Sequence, residues 1–474
     1  MNVHPEQNAS ARPASGNLTG FIRDVLFLAL FYLYVWLVVD VRLIYHASAI
    51  VPDNFFKGIT GFFCEWTFFS RFMSFPGGPV QYVCTFLVQF FSLAWAGALV
   101  ITLQAWLISV CTDKIIGALG MVRFRWIKYV GPTLILITYT LYFYRFVDTM
   151  ALLVALSFSC LCLKTRPMRQ VYCACIFVAL SVVLYYLAAG VSACFAVVCV
   201  IWELFFTRRW RLGLFFIVIG SALPWVEGVL VFGVNGANAY SDLTPWTWKY
   251  TYPFLAREIK TVHYMLHLMI PVFMLCFAIV GVVFGGKSVG DPPVKDQEPG
   301  ELSAIQRSAI IRNLRWAVRT AVLFLVAGAS VAYFHDPNRK AILAIDYYNH
   351  YRMWPELLRN IDRFPNNIAA TGAINRALYH TGTLGSDMFK YPQRSHTLFL
   401  TADKYSTMPW MKYDLFMDLG LLNLAENYLT NTMGHFSDHP VVLKGLAKLN
   451  MAQGDMATAR VYLGALSKTV LFND

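Results

Sequence analysis

Charge is what this sequence has least of. Only 14% of its 474 residues are Asp, Glu, Lys or Arg, against about 25% in soluble domains. Hydrophobic residues make up 57%, and apolar runs of about 20 residues recur, long enough to cross a bilayer. An ordinary soluble domain is thereby excluded. A disulfide framework is missing too. The ten cysteines lie in or beside apolar runs, none in the polar C-terminal third, which is not the pattern of a disulfide-stapled domain. In the pairs Cys160/Cys162 and Cys173/Cys175, residues two apart on a helix point to different sides, so small buried side chains are the better reading than metal ligands. No sustained heptad, nucleophile elbow, Rossmann glycine pattern or haem motif occurs in a suitable context. Gly285, Gly286, Lys287 and Ser288 copy only a fragment of a phosphate loop, without the upstream glycine spacing or a preceding strand. The net charge of +12 does not indicate nucleic acid, because the basic residues cluster between apolar runs, where they orient membrane helices.

What is there is an all-α pattern. Residues 1–20 are polar and read as a disordered cytoplasmic N-terminus. Nine spans follow, roughly Ile22–Leu43, Ser92–Cys111, Tyr129–Tyr144, Thr149–Leu163, Val171–Ala188, Val191–Phe206, Leu212–Val234, His263–Phe284 and Trp316–Phe334. The first run is too long and too late for a cleaved signal peptide. Lys114, Arg123, Arg125, Lys128, Lys164, Arg166, Arg169, Arg208, Arg209, Arg211, Arg307, Arg312 and Arg315 all fall on one side of that topology. The bias over the other side is roughly two to one, which puts the N-terminus inside. An odd number of spans then puts the C-terminal domain outside the cytoplasm, in the periplasm of a bacterial inner membrane. The expected layout is a transmembrane bundle over 21–285 with outer loops 44–91 and 235–262, a Gly/Pro-rich cytoplasmic linker over 286–315, the last span over 316–334 and an extracytoplasmic helical domain over 335–474.

In that last part, RKAILAIDYYNHYRMWPELLRNIDRFPNN predicts two helices, about Arg339–Tyr351 and Trp354–Ile361. Pro355 sits at a helix start and Pro365 after a helix end. The phrase LNMAQGDMATARVYL, with Gly445, Ala447, Gly454, Ala457 and Ala459 as small residues for close helix crossing, is similar to the tetratricopeptide repeat. That repeat is a helix–turn–helix unit of about 34 residues. The similarity implies a surface that binds envelope proteins.

Several phrases together resemble an uncharacterised family of bacterial polytopic membrane proteins of Bacteroidetes-type genomes, a domain of unknown function. They are VVDVRLIYH (Val38–His46), FPGGPVQYVCTFLVQFF (Phe75–Phe91), WAGALVITLQAWLISVCTD (Trp95–Asp113) and ALYHTGTLGSDMFKYPQ (Ala377–Gln393). The resemblance implies membrane location and a C-terminal repeat domain, and no reaction. In layout alone the chain also resembles GT-C membrane glycosyltransferases, which have a long first outer loop, acidic residues there, lipid-phosphate-linked sugars as substrates and, in some, tetratricopeptide repeats after the spans. It departs from them in lacking a paired-acid motif, since Asp40 is followed by Val41 and Arg42, and Asp53 by Asn54.

Ionisable residues at membrane depth are costly and are suspects for function. Asp40, at the outer end of the first span, is a candidate general base. Arg42, His46 and Arg71 are candidate phosphate binders, with an ion pair at a helix end as the structural alternative. Glu227, beside Pro224 and Trp225, is a second candidate acid. Arg145 and Asp148 are three apart and expected to pair. Gln89 is placed to line an outer-leaflet cavity, and Trp246 and Trp248, in WTWKYTYPF, to meet sugar rings or the membrane interface. His263 and His267 lie one turn apart and offer a divalent metal two ligands, with Glu258 or Asp242 as a third. No spacing fixes that third ligand, and no cofactor is predicted.

Three readings of function stand. One is a transferase acting on lipid-linked glycans at the outer face. A second is a scaffold recruiting envelope proteins. The third is a transporter, for which no internal repeat among the spans speaks. The aromatic stretch Phe69–Phe91 is expected to be either a membrane-surface collar or a hinge into the second span.

Overall fold

The computed structural model describes residues 15–48, 61–142, 146–165, 168–245, 253–283, 302–363, 368–393, 409–436 and 439–471. Among them there is no β-strand, and the all-α class read from the sequence holds. Among the described residues, seven helical segments are long and apolar enough to cross a membrane, so the protein is a multi-pass membrane protein.

Helix α1 (Ser15–Tyr34) carries the first apolar run and continues into a π-helical segment, Val35–Val39. Asp40 then adopts a left-handed backbone (φ 55°), and α2 (Val41–Ser48) begins after it. Helices α3 (Trp66–Met73) and α4 (Gly78–Gln89) are joined by the Pro-Gly-Gly-Pro break. Gly77 has φ 80°, and a Cβ on Gly78 would lie 1.7 Å from the Phe72 carbonyl oxygen. No other residue type fits that pair of positions. The aromatic stretch is a hinge that packs on itself. Phe62, Phe69 and Phe72 surround Tyr82 at 5.1, 5.2 and 5.8 Å between ring centroids.

Next come α5 (Ala94–Ala118), α6 (Val130–Thr140), α7 (Phe146–Leu163), α8 (Gln170–Ala188), α9 (Ser192–Ile201) and α10 (Trp210–Trp225). Helix α6 is shorter than the run Tyr129–Tyr144 suggested, because a 3-10 segment precedes it and Tyr142 turns left-handed (φ 58°). It still runs the length of α1: Tyr129 meets Asp24 at one end and Tyr142 meets Val39 at the other. The apolar stretch Gln170–Phe206 folds back on itself. Phe177 in α8 and Phe195 in α9 stack at 5.4 Å, whereas a straight helix would hold them about 27 Å apart. The reversal is at Ala189 (φ 47°), so the stretch forms two helices, α8 and α9, with the break where the sequence indicated it.

A short α11 (Gly236–Ser241) precedes α12 (Pro253–Val283) and α13 (Leu302–Phe334). Helix α13 starts well before the apolar run at Trp316, so part of the expected 286–315 linker is helical. It packs loosely: only 11% of its most apolar window is buried, against 67% for α7.

The C-terminal part comprises α14 (Pro337–His350), α15 (Trp354–Arg359), α16 (Ile368–His380), α17 (Leu384–Asp387), α18 (Pro409–Asp418), α19 (Leu422–Phe436), α20 (Pro440–Gln453) and α21 (Met456–Leu466). Asp336 caps α14, accepting from the Asn338 and Arg339 amides, with Pro337 opening the helix. Gly454 (φ 83°) ends α20, and the Asp455 side chain caps α21 through the Thr458 amide. That is the helix–turn–helix read from LNMAQGDMATARVYL. Gly445 allows the close crossing expected of it, since a Cβ there would sit 3.0 Å from Leu429.

These helices sit on one end of the bundle. A two-residue antiparallel bridge ties the segment before α3 to the segment after α21: the Cys64 amide donates to Lys468 O (2.8 Å), and the Val470 amide donates to Phe62 O (3.1 Å). Lys468 adds an ion pair to Glu65 (2.7 Å).

Candidate functional site

The carbonyl groups in the last turn of a helix lack intrahelical partners. At the docking end the C-terminal part supplies them. Lys340 Nζ donates to Val38 O (2.6 Å) at the end of the first span, and Arg339 donates to Leu141 O (2.9 Å) at the end of α6. Cations at helix C-termini are electrostatically favourable. One turn of α14 thus caps two membrane helices at once. Tyr142 closes the same corner by donating its hydroxyl to Val39 O (2.9 Å).

The π segment and left-handed residue between α1 and α2 set the geometry of Asp40. Its carboxylate accepts two hydrogen bonds from Arg42, both at 2.9 Å. That bidentate ion pair raises the guanidinium pKa even further. Arg42 also lies over the Tyr347 ring at 5.7 Å. Its side chain remains 41% exposed, so part of the guanidinium faces outward.

His46 is buried. Its Nε2 lies 2.6 Å from Asp346 Oδ2, a carboxylate from α14. Tyr347, His350 and Tyr351 ring it at 5.4 to 5.9 Å. Burial pushes the Tyr351 phenol up to about 12. Tyr45, whose phenol is likewise raised by burial, donates to Gln89 Oε1 (3.3 Å). Gln89 in turn donates to Thr85 O. His439 caps α20 by accepting the Val441 amide at Nδ1 (3.2 Å). Burial first, and His46 second, lower its pKa to about 4.

The residues singled out in the sequence separate into groups. Asp40, Arg42, His46 and Gln89 gather at the docking end. Gln89 is buried beside α2 rather than lining an open mouth. Arg71 is exposed on α3. Glu227 is half-buried in a π segment, Val226–Val231, and among the described residues no hydrogen bond or ion pair joins it to Asp40, Arg42 or His46. Trp246 and Trp248 lie outside the described residues, as do Asp53 and Arg145. His263 and His267 are both buried, with His267 Nδ1 2.9 Å from His263 O. His267 also faces the backbone of Asp148, a residue the sequence had linked only to Arg145. Among the described residues no three His, Cys, Asp or Glu side chains converge on one point as metal ligands would.

Reading the sequence missed Asp346, Arg339 and Lys340. Each lies about 300 or 200 residues from its partner, beyond any local pattern. The phrase RKAILAIDYYNH signalled only a helix.

Beside this corner runs an apolar groove of about 530 Å³ between α1, α6 and α13. Phe27 and Phe31 form its buried floor, and Leu30, Gly328 and Ala332 its exposed rim. Tyr34, Val38 and His335 close the end nearest Lys340.

The chain belongs to a family of unknown function, DUF6057, whose family model matches residues 22–474. No curated protein and no solved structure matches it.

Proposed function

We propose that the protein is a cell-envelope transferase with a GT-C-like layout, acting on lipid-linked glycans at the outer face of a bacterial cytoplasmic membrane. The observation that carries this is the convergence of Asp40, Arg42 and His46 with Asp346, Arg339 and Lys340 at one end of the bundle, at the mouth of an apolar groove. Such an arrangement suits an amphiphile whose polar head is anionic.

The orientation is supported by charge. At the opposite end of the bundle Lys128 pairs with Asp24, Arg23 donates to Tyr129 and Arg125 pairs with Asp113, and the basic clusters after α5, α7 and α9 also belong to that end. By the positive-inside rule that end faces the cytoplasm. The docking end is then outside.

In the transfer, the acceptor hydroxyl gives its proton to Asp40 as its oxygen bonds to the anomeric carbon. The bond from that carbon to the phosphate oxygen breaks, and the lipid phosphate leaves with the electron pair. Arg42 moves from Asp40 toward the departing phosphate, which frees the carboxylate as base. A π segment and a left-handed aspartate are backbone features that often mark such sites.

The test uses the full chain in nanodiscs with a fluorescent lipid-linked sugar and a range of acceptor glycans. Asp40→Asn is expected to lower transfer at least 100-fold and Arg42→Ala about as much. Transfer unchanged in Asp40→Asn would sink the assignment of the base. No transfer by the wild type, together with envelope proteins copurifying through α14–α21, would replace the transferase with the scaffold reading.

A further inference from the structure

Four helices of the C-terminal part stop in the same way. The chain turns through one left-handed residue, and the amide beyond it reaches back to a carbonyl of the last turn. The amides of Thr383, Leu421 and Asp455 donate to Leu378, Phe416 and Asn450 O at 2.9, 2.8 and 2.9 Å, around Gly382 (φ 77°), Gly420 (φ 71°) and Gly454 (φ 83°). Glycine is the residue this position favours. At the end of α14 the Met353 amide donates to Tyr348 O at 2.8 Å, and the residue it turns around is Arg352, with φ 55°. That backbone is strained for a residue with a side chain. The turn itself gives no reason for an arginine, so its side chain must supply one.

The fold makes little use of that side chain. Its guanidinium lies 3.8 Å from Asp418 and is 63% exposed, and exposed ion pairs contribute little. The carboxylates of Asp414 and Asp418 are already engaged by the buried Arg376. Arg352 also stands within electrostatic reach of α20. Its field is felt by Tyr413, whose hydroxyl donates to Gly445 O, and by Lys448. Lys444 lies one turn from Lys448 on the same face of that helix. Burial first, and then Lys444 and Arg352, push the Lys448 ammonium below the usual lysine range, with Asp414 opposing them. Three cations from two elements are thus held together against their own repulsion, which a bound anion would relieve.

A track leads from this cluster to Asp40. Tyr351 is half-exposed beside Arg352, and its ring is 4.7 Å from that of Tyr347. Arg42 stands over Tyr347 at 5.7 Å and holds Asp40. Cations and aromatic rings alternate along it. Sugars that carry carboxylates match such a surface, since their charges meet cations and their ring faces meet tyrosines. An acidic peptide would use the charges alone.

We infer that Arg352, Lys444 and Lys448, with Tyr351, form a subsite for an acidic acceptor glycan, one with carboxylates along its chain of sugars. The inference rests on the transferase reading for the part the glycan plays, and names the acceptor class.

The test is binding to the full chain in phosphatidylcholine nanodiscs, which bring no anionic lipid, followed by fluorescence anisotropy. The probe is labelled hexagalacturonate, with labelled maltohexaose and hexaglutamate as the neutral-sugar and acidic-peptide comparisons. Hexagalacturonate is expected to bind the tightest of the three, and less tightly as salt rises. Arg352→Gly is expected to weaken it about 10-fold while the urea midpoint of the C-terminal helices holds or rises, because glycine suits the turn. Lys448→Gln is expected to weaken it to a similar degree, and Tyr351→Ala to bring hexagalacturonate down to the level of hexaglutamate. No binding of hexagalacturonate by the wild type, or binding indifferent to Arg352→Gly, overturns the inference. So does hexaglutamate bound as tightly by the wild type, which would make the surface a peptide site of the scaffold reading. A urea midpoint that falls in Arg352→Gly overturns it too, by showing that the arginine serves the fold. Binding lost in Arg352→Gly with no sugar transfer by any preparation would keep the subsite and remove the transferase. Transfer to acidic acceptors undiminished in Arg352→Gly would keep the transferase and remove the subsite.

Discussion

His46 and Asp346 form the contact on which the junction of the two parts turns. Both side chains are almost fully buried, and a buried pair broken on one side costs far more than an exposed one. Asp346→Leu is expected to weaken docking by about 3 kcal/mol, seen as faster proteolysis of α14–α21 in detergent, while Asp346→Asn, which can still accept from His46, weakens it less. Equal effects of the two would show that shape rather than the polar pair matters. His439 makes the junction acid-sensitive. Its folded pKa lies near 4, below the ordinary histidine value, because burial favours the neutral ring that accepts the Val441 amide. The unfolded chain therefore binds more protons as pH falls from about 6.5 to about 4. Stability is present above that window and is lost on acidification through it. Asp418 adds a further loss below that window: burial raises its carboxyl pKa, but Arg376 and His380 outweigh burial and hold it below the usual value. His439→Asn keeps a capping oxygen and removes the titration, so its melting temperature should fall less between pH 6.5 and 4 than that of the wild type.

At the scale of elements, the C-terminal helices are joined by a buried charge network more than by apolar contact alone. Arg376 of α16 donates to Asp418 and to Asp414, both on α18, and to the side chain and backbone of Asn349 on α14. It also lies 5.2 Å from the Trp354 ring. Arg376→Met should cost about 3 kcal/mol by taking the buried guanidinium from two carboxylates, leaving Asp418 only His380 and Arg352 and Asp414 only His350, measured as a lower urea midpoint for the C-terminal helices. A midpoint that stays put would mean that the apolar contacts of Ile345, Leu357 and Ala373 hold the unit by themselves. Within the bundle, the hinge at Gly77–Gly78 is the most demanding element junction. Gly78→Ala places a methyl on the Phe72 carbonyl and should prevent α3 from folding back on α4. A loss of expression or a shift in Trp66 fluorescence would report it, and an unchanged spectrum would argue against so tight a turn.

Over the whole molecule, the bridge between Phe63 and Thr469 shows that the first loop and the C-terminus are strapped together. The pair sits where neither residue bonds the other's backbone, the close pairing of an antiparallel ladder, at about 4.5 Å between Cα atoms. That distance suits a disulfide. In a Cys64→Ser background, Phe63→Cys with Thr469→Cys should cross-link on mild oxidation and change gel mobility, and failure to cross-link would mean that the strap opens in solution. The sequence alone determined the all-α class, the long apolar helices and their order, the hinge at Pro-Gly-Gly-Pro and the last helix–turn–helix. Each of those is written in local signals: apolar run length, capping residues, prolines and glycines. It also marked Asp40, Arg42 and His46 as one cluster, since they are neighbours along the chain. Only the tertiary structure decided that His46 is buried against Asp346, that Gln89 turns to Tyr45, that Glu227 stands apart from Asp40, and that Arg339 and Lys340 cap two distant helix ends. Those pairings join residues up to about 300 positions apart, and no periodicity carries such information. The groove is likewise a product of packing, because its three walls come from helices that meet only when the last span returns to the first.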